Sequence, residues 1–283
     1  PNVGKSTLMN RLIGQKISIT SHKRQTTRHQ IVGVVTTDLA QAIYVDTPGI
    51  HRQAGKAMNR MMNRTAANAL VDADVVFFMT EAGKWTDEDQ DVLERLSDVN
   101  APVIALLNKV DKVHPKEALF NALSTMSGRK DFAEVIPMSA RRHDDVETLK
   151  QLVSAYLPES GPLFPEDMIT DRSENFLVAE VIREKLTVAL RQEVPYGLTV
   201  QIERFERDEH GIAIHAVIWV ERDSQKGIVV GKRGGQLKKV GRAARLELKS
   251  QFGRPVHLEL WVKVKDNWAD SEKELLGLGF DTP

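Results

Sequence analysis

The sequence contains no cysteine, which excludes disulfides and cysteine-ligated zinc and fits a reducing, cytosol-like compartment. It has no apolar run near the roughly 18 residues that a membrane-crossing helix needs. No secretory leader pattern stands at its start, and there is no internal repeat or low-complexity tract. It also lacks net charge, because 39 Lys and Arg balance 39 Asp and Glu. An even spread of that charge would argue against a polyanionic partner. The spread is uneven. Between Gln225 and Arg254 stand nine bases, Lys226, Lys232, Arg233, Lys238, Lys239, Arg242, Arg245, Lys249 and Arg254, against one acid, Glu247. A local basic face matters more to a polyanion than the total charge does.

What is present is ordinary for a globular chain: 41% hydrophobic and 28% charged residues, in 283 residues that suggest two domains. Apolar runs at 42–45, 75–79 and 103–107 end in polar residues. Between them Met58, Met62, Ala66 and Leu70, or Val92, Leu93 and Leu96, keep helical spacing. This alternation predicts an α/β fold with a mostly parallel sheet, whose ligands sit at the carboxyl ends of the strands. Pro158, Gly161, Pro162 and Pro165 then punctuate a linker over 158–174. Beyond it, Leu177, Val178, Val181, Ile182, Leu186, Ala189 and Leu190 predict an amphipathic helix. Alternating apolar residues predict strands at 198–202, 212–220 and 256–264, and a short helix runs from about Trp268 to Leu276. The chain divides accordingly into 1–157, the linker, and 175–283.

The first part carries three separated motifs. Asn2-Val3-Gly4-Lys5-Ser6-Thr7 is followed by Leu8, Met9, Leu12 and Ile13 and a helix stop at Gly14. That is the make-up of a phosphate loop: backbone N–H groups aimed at one point, with a helix N-terminus behind them. Lys5 is placed to reach the β- and γ-phosphates, and Ser6 to bind Mg²⁺. The first glycine of the full motif and the strand leading into it would precede Pro1, so a longer parent chain is expected. Asp46, after the strand 43–45, is placed to hold Mg²⁺ through a water, and the Gly49 N–H to meet the γ-phosphate. Thr26 and Thr27 lie in a polar stretch, 18–29, that reads as a mobile surface loop. Thr27 there would complete the Mg²⁺ shell. Lys5, Thr26, Thr27 and Gly49 are the candidate catalytic groups.

Asn108, Lys109 and Asp111 follow the strand 103–107. An aspartate accepts two N–H bonds from guanine, a pattern adenine does not offer, and a site built on such bonds rejects the wrong base strongly. Asn108 can hold N7 and brace the loop. Ser139 and Ala140 can offer a backbone N–H to the guanine O6. GTP or GDP with Mg²⁺ is the expected ligand. Ile50 stands where a glutamine would orient the attacking water, and His51 and Arg52 read as solvated loop, so unassisted turnover should be slow.

In the second part, Gly231-Lys232-Arg233-Gly234 follows the apolar 228–230 and precedes a basic helix starting near Gln236. A Gly-X-X-Gly loop between helices lets backbone pack against a nucleic-acid strand. Lys226, Ile228, Gly231, Lys232, Arg233, Gly234, Lys238, Lys239, Arg242 and Arg245 are the candidate RNA contacts. The order helix, strand, strand, helix, Gly-X-X-Gly, helix, strand resembles the bacterial (type II) KH domain, an α+β fold that clamps about four nucleotides of single-stranded RNA.

Taken together, Pro-Asn-Val-Gly-Lys-Ser from Pro1, Gln-Thr-Thr-Arg from Gln25, Asp-Thr-Pro-Gly-Ile from Asp46 and Asn-Lys-Val-Asp from Asn108, joined to a C-terminal KH domain, resemble the Era family of the TrmE–Era-like GTPases. Asp-Asn-Trp-Ala-Asp from Asp266 is similar to that family too, and the likeness covers the whole chain. The resemblance implies a P-loop GTPase domain followed by a KH domain, in a bacterial protein that assists small-ribosomal-subunit maturation and holds the 3′ end of the small-subunit ribosomal RNA. It implies a cytoplasmic protein, a monomer, in loose peripheral association with the inner membrane, for which the residues themselves show no cause. It also implies that Asn2 can serve a K⁺ ion near the phosphates. Two rival readings are a GTPase acting on a protein or membrane, with the second domain as a docking module, and a P-loop kinase, against which Asn108 and Asp111 argue.

Overall fold

The structure, a computed structural model, describes residues 2–21, 26–49, 56–190, 197–278 and 280. Helix α1 (Lys5–Ile13) begins where Gly4 takes a left-handed backbone (φ 112°) and stops at Gly14 (φ 78°), whose N–H returns to the Asn10 carbonyl. A Cβ at position 4 would stand 2.3 Å from Asn108 Nδ2, so only glycine allows this close approach. Strands β1 (Ile31–Thr36) and β2 (Gln41–Asp46) pair antiparallel. Then come α2 (Ala57–Asn68), β3 (Val76–Glu81), α3 (Asp87–Arg95), β4 (Val103–Asn108), α4 (Glu117–Ser127), β5 (Glu134–Pro137) and α5 (His143–Ser154).

Strands β3, β4 and β5 form a parallel sheet in that order. All six residues of β4 are buried, which is why it reads as an unbroken apolar run rather than an alternation. The carboxyl ends of the parallel strands hold Glu81 and Asn108 level with each other. The parallel sheet expected from the sequence is therefore accompanied by a separate antiparallel pair. The reason is local: the turn between β1 and β2 closes on Thr37 N–H and Ala40 C=O at 2.9 Å, and so short a connection allows only a hairpin.

The segment read as a linker is strapped to the first half. Val34 N–H donates to Ile169 C=O (2.8 Å), Thr170 Oγ1 to Val32 C=O (2.6 Å), and Gln41 Oε1 accepts from the Leu163 and Phe164 N–H groups. Ser173 then caps α6 (Glu174–Ala189). Strands β6 (Leu198–Arg207), β7 (Ile212–Val220) and β8 (Val256–Val264) make the second sheet in that order, β6–β7 antiparallel and β7–β8 parallel. Between β7 and β8 run α7 (Asp223–Val230) and α8 (Gly235–Phe252), and a short α9 (Glu272–Gly277) ends the described helices. Alternate residues Ile212, Ile214, Ala216, Ile218 and Val220 share one core with Ile182 and Leu186 of α6 and with Val240, Ala244 and Leu248 of α8. The four-residue spacing on α8 sets its apolar stripe inward and its bases outward.

The two halves meet at Lys16, which follows α1, and along α2. Lys16 pairs with Glu184 of α6 (2.5 Å) and with Glu247 of α8. Burial alone would lower the Lys16 pKa, but the two carboxylates hold it above its usual value. Asp270 Oδ1 accepts the Ala57 N–H (2.9 Å) at the start of α2, which has no side-chain cap of its own. Met58, Met61 and Met62 of α2 share a buried cluster with Trp268, Leu275 and Phe280.

Of the stretch 18–29, read as a mobile surface loop, residues 22–25 lie outside the described residues, and the structure corrects the reading for Ser18 and for 27–28. Ser18, Thr27 and Arg28 are buried. Arg28 Nη1 donates to Leu198 C=O (2.6 Å), and Arg183 Nη2 of α6 donates to Thr26 C=O. His29 lies edge-on to Phe176 (ring centres 5.1 Å apart) and 4.4 Å from the Phe280 ring. Polar composition misleads here because the partners come from another part of the chain.

Burial lowers the His29 pKa from 6.5 to about 4, with Arg183, Arg172 and Arg28 acting in the same direction against Glu180. The unfolded imidazole therefore takes a proton that the folded one refuses, and stability falls as pH drops from about 6.5 to about 4. At pH 5 the expected loss relative to pH 7.5 is about 2 kcal/mol, read from denaturant unfolding. His29→Gln should lose this component, and an unchanged pH dependence in that variant would assign it elsewhere.

Candidate functional site

The loop before α1, the ends of β4 and β5 and the segment carrying Thr26 and Thr27 surround one open cleft of about 180 Å³. Asn2, Val3, Gly4, Lys5, Ser6, Thr7, Thr26, Thr27, Gly49, Asn108, Lys109, Asp111, Ser139 and Ala140 all line it. Every nucleotide-site residue read from the sequence is in this set except Asp46, which borders it through hydrogen bonds. A larger cavity of about 1030 Å³ lies along β2 and β3, and it lacks the base-reading residues.

Asp46, at the end of β2, is 5% exposed and collects hydroxyls from three segments on its Oδ2. Ser6 donates at 2.9 Å, Ser18 at 3.0 Å and Thr27 at 3.2 Å, while the Ser6 and Thr27 oxygens are 3.0 Å apart. Its Oδ1 is buried with no hydrogen-bond partner. An orphaned carboxylate oxygen beside converging hydroxyls is a set of hard oxygen donors, and it fits Mg²⁺. Ser18 was not singled out in the sequence. Its place between two buried isoleucines, Ile17 and Ile19, is the only local sign of it.

Asn108 braces the loop. Its Nδ2 donates to Val3 C=O (2.7 Å) and its Oδ1 accepts the Ala140 N–H (2.8 Å). The Ser139 N–H goes to Asp145 Oδ2 at 2.7 Å. Both N–H groups considered for the guanine O6 are thus engaged within the protein. Lys109 has a left-handed backbone (φ 66°), and its Nζ reaches Asn2 C=O (2.7 Å) and Glu81. Burial pushes the Glu81 carboxyl up, but Lys109 and Lys84 hold it below the usual range. Asp111 is exposed at the cleft mouth. The Ser139 hydroxyl, with the Asp111 backbone N–H, keeps its carboxyl below the usual range, so it is an acceptor at neutral pH. Glu81 and Asp145 were missed in the sequence because each acts through another residue. Gln25, Ile50, His51 and Arg52 lie outside the described residues.

One acidic and one basic side chain of α6 stand behind Thr26, a residue that lines this cleft. Arg183, 2% exposed, is gripped by Glu180, 6% exposed, through Nε–Oε1 at 2.6 Å and Nη2–Oε2 at 2.7 Å. Burial alone would raise the Glu180 pKa, but the charge and hydrogen bonds of Arg183 outweigh it. The sequence offered no sign of this pair beyond its three-residue spacing.

The Gly-X-X-Gly loop joins α7 to α8. Gly231 (φ 71°, ψ 176°), Arg233 (φ 53°) and Gly234 (φ 73°) all have positive φ. A Cβ on Gly231 would come within 2.6 Å of the Gln236 Cβ, so the tight turn needs glycine there. Lys232 and Arg233 are exposed, as are Lys226, Lys238, Lys239, Arg242 and Arg245. Ile228, half exposed, adds an aliphatic surface against which a base can lie. Glu247, the one acid of this segment, is held by Lys16 and Lys185.

Residues 1–109 match the family model of the 50S ribosome-binding GTPases, and 193–269 that of the KH domain. The chain is 50% identical to the GTPase Era of Marinobacter nauticus over 279 residues, covering 99% of this chain and 92% of the relative. It is 49% identical to the GTPase Era of Pseudomonas savastanoi pv. phaseolicola, with 99% and 93% covered. Its fold is similar to a crystal structure of Era in complex with MgGDPNP and nucleotides 1506-1542 of 16S ribosomal RNA (TM-score 0.93, 38% identity, 99% of this chain and 95% of that one). It is likewise similar to a single-substitution variant of Aquifex aeolicus Era bound to GDP.AlF4- (TM-score 0.92, 38% identity, 99% and 95%).

Proposed function

The chain belongs to the Era family of GTPases, and from that premise we propose that it binds GTP with Mg²⁺, hydrolyses it slowly to GDP and phosphate, and holds the 3′ end of small-subunit ribosomal RNA during assembly of the small ribosomal subunit. The observation that carries this reading is the gathering of Lys5, Ser6, Thr27, Asn108 and Asp111, separated by up to a hundred residues, around one cleft.

Within the cleft, backbone N–H groups at the start of α1 and the Lys5 ammonium bind phosphate oxygens. Ser6 and Thr27 would hold Mg²⁺, with Asp46 acting through a water. When bound, the ion neutralises charge on the β- and γ-phosphate oxygens. Thr27 and the Gly49 N–H contribute only when a γ-phosphate is present, and so they separate the GTP state from the GDP state. Asp111 accepts the guanine N–H pair, and Asn108 keeps the phosphate loop and the base-reading loops in register. In this reading hydrolysis depends on the positioning of these groups and is slow.

In the second half, Gly231-Lys232-Arg233-Gly234 takes the RNA backbone, and the exposed bases of α8 extend the contact. The proposed domains are 1–157 for nucleotide and 175–283 for RNA, with 158–174 between them. The reading includes a cytoplasmic monomer and a peripheral association with the inner membrane. No helix among the described residues is long and apolar enough to cross a membrane.

Asp111→Asn should shift preference from GTP toward xanthosine triphosphate by at least about 100-fold, measured as the ratio of Kd values; an unshifted ratio refutes the guanine assignment. Gly231→Asp combined with Gly234→Asp should weaken binding of a small-subunit RNA 3′-end oligonucleotide about tenfold or more and leave GDP binding intact. Undiminished RNA binding would turn the second half into a docking module for another partner. If Asn2 serves a K⁺ ion, GTP turnover is faster in KCl than in NaCl of equal strength, and equal rates remove the ion from the scheme.

A further inference from the structure

Helix α6 belongs to the RNA-binding half, yet its Arg183 reaches the backbone next to a cleft hydroxyl. The guanidinium donates to the Thr26 carbonyl, one residue before Thr27. Thr27 Oγ1 in turn sits 3.0 Å from Ser6 Oγ and 3.2 Å from Asp46 Oδ2. Arg183 is 2% exposed and cannot swing freely, because Glu180 holds Nε and Nη2 in a two-point fork. The anchoring is continued by Arg28, whose Nη1 donates to Leu198 C=O, and by His29 between Phe176 and Phe280. The backbone of 26–29 thus takes its place from the second half, while the Thr27 hydroxyl points into the cleft of the first.

We propose that Arg183, oriented by Glu180, is a positioning residue for GTP hydrolysis, which acts from the RNA-binding half by fixing the Thr26 carbonyl and thereby the Thr27 hydroxyl beside Ser6 and Asp46. The proposal rests on the GTPase reading above. A guanidinium suits the task better than an ammonium. Its planar fork engages a carboxylate and still presents an N–H to a carbonyl, whereas a lysine offers one compact charge. Because Thr27 serves the GTP state, loss of Arg183 should act on GTP and spare GDP.

The test uses the full chain and compares wild type with Arg183→Met, Arg183→Lys and Glu180→Gln. Four quantities are read: GDP affinity, GTP-analogue affinity, kcat for GTP at a series of Mg²⁺ concentrations, and affinity for an RNA 3′-end oligonucleotide. Arg183→Met should keep GDP and RNA binding within about twofold, lower kcat about tenfold or more, and raise the Mg²⁺ concentration needed for half-maximal rate. Arg183→Lys should recover part of the rate. Glu180→Gln, which keeps the shape, should show the same pattern more weakly and serves as the probe if Arg183→Met does not fold. Wild-type kcat and Mg²⁺ dependence in these variants would overturn the proposal, and so would an equal loss of GDP and GTP affinity. A wild-type chain that hydrolyses no GTP would instead refute the GTPase reading itself.

Discussion

A guanidinium buried against a carbonyl ties α6 of the second half to the segment that carries Thr27. Arg183, 2% exposed, has its charge met by the Glu180 fork, which takes two of its five N–H donors, and Thr26 C=O takes a third. A buried pair of this kind adds little net stability against an apolar replacement, but removing one partner costs about 3–5 kcal/mol. The contact therefore has few intermediate states. Either Thr26 is captured and the arginine is satisfied, or the whole polar cluster must open to water together. That property suits a boundary with two arrangements better than a greasy interface, which slides and repacks by degrees.

Two further contacts share this plan. Lys16 follows α1 and the phosphate loop, and it reaches Glu184 of α6 and Glu247 of α8. Asp270 supplies the cap that α2 lacks, and the methionines of α2 lie on Trp268 and its neighbours. The segment after α1 and the start of α2 thus each meet a different element of the second half. Glu247 stands apart among them because it sits on the basic helix, where a lone acid would weaken binding to a polyanion. Its pairing with Lys16 and Lys185 gives it another role: two of the chain's bases are held against the acid, and the helix keeps its exposed bases for the ligand. By linkage, any coupling free energy that these contacts carry from nucleotide to RNA binding acts with the same size in the reverse direction.

Much of this was legible in the sequence, and the parts that were not have a common cause. The strand alternation read at 212–220 and 256–264 coincides with β7 and β8, because one buried face forces period two. Gly14 ended α1 as read, since its left-handed backbone is a local demand. The motifs around Gly4, Asp46, Asn108 and Gly231 were visible because the loops need particular residues whatever surrounds them. The anchoring of Thr26 and Arg28 was not visible, since polar residues between two elements look like a loop until their partners are known, and these partners lie 157 and 170 positions away. Arg183 and Glu180 were not singled out in the sequence for the same reason. Ser18 and Asp145, which act on Asp46 and Ser139, have no motif of their own. The antiparallel β1–β2 pair escaped because a tight turn, rather than a hydrophobic period, decides its direction.

The chemistry of the cleft completes the picture. Its described walls offer hydroxyls, amides, ammonium groups and the Asp111 carboxylate. Rate in such a site depends on placing groups that are individually weak, and a hydroxyl such as that of Thr27 misplaced by about 1 Å can cost about 100-fold. In a free loop it would spend most of its time elsewhere. Anchoring its neighbour to α6 restricts it at no cost in cleft volume, and it makes the anchoring helix part of whatever sets the lifetime of the GTP state. On the proposal above, the lifetime of the GTP state depends on how firmly the second half grips Thr26.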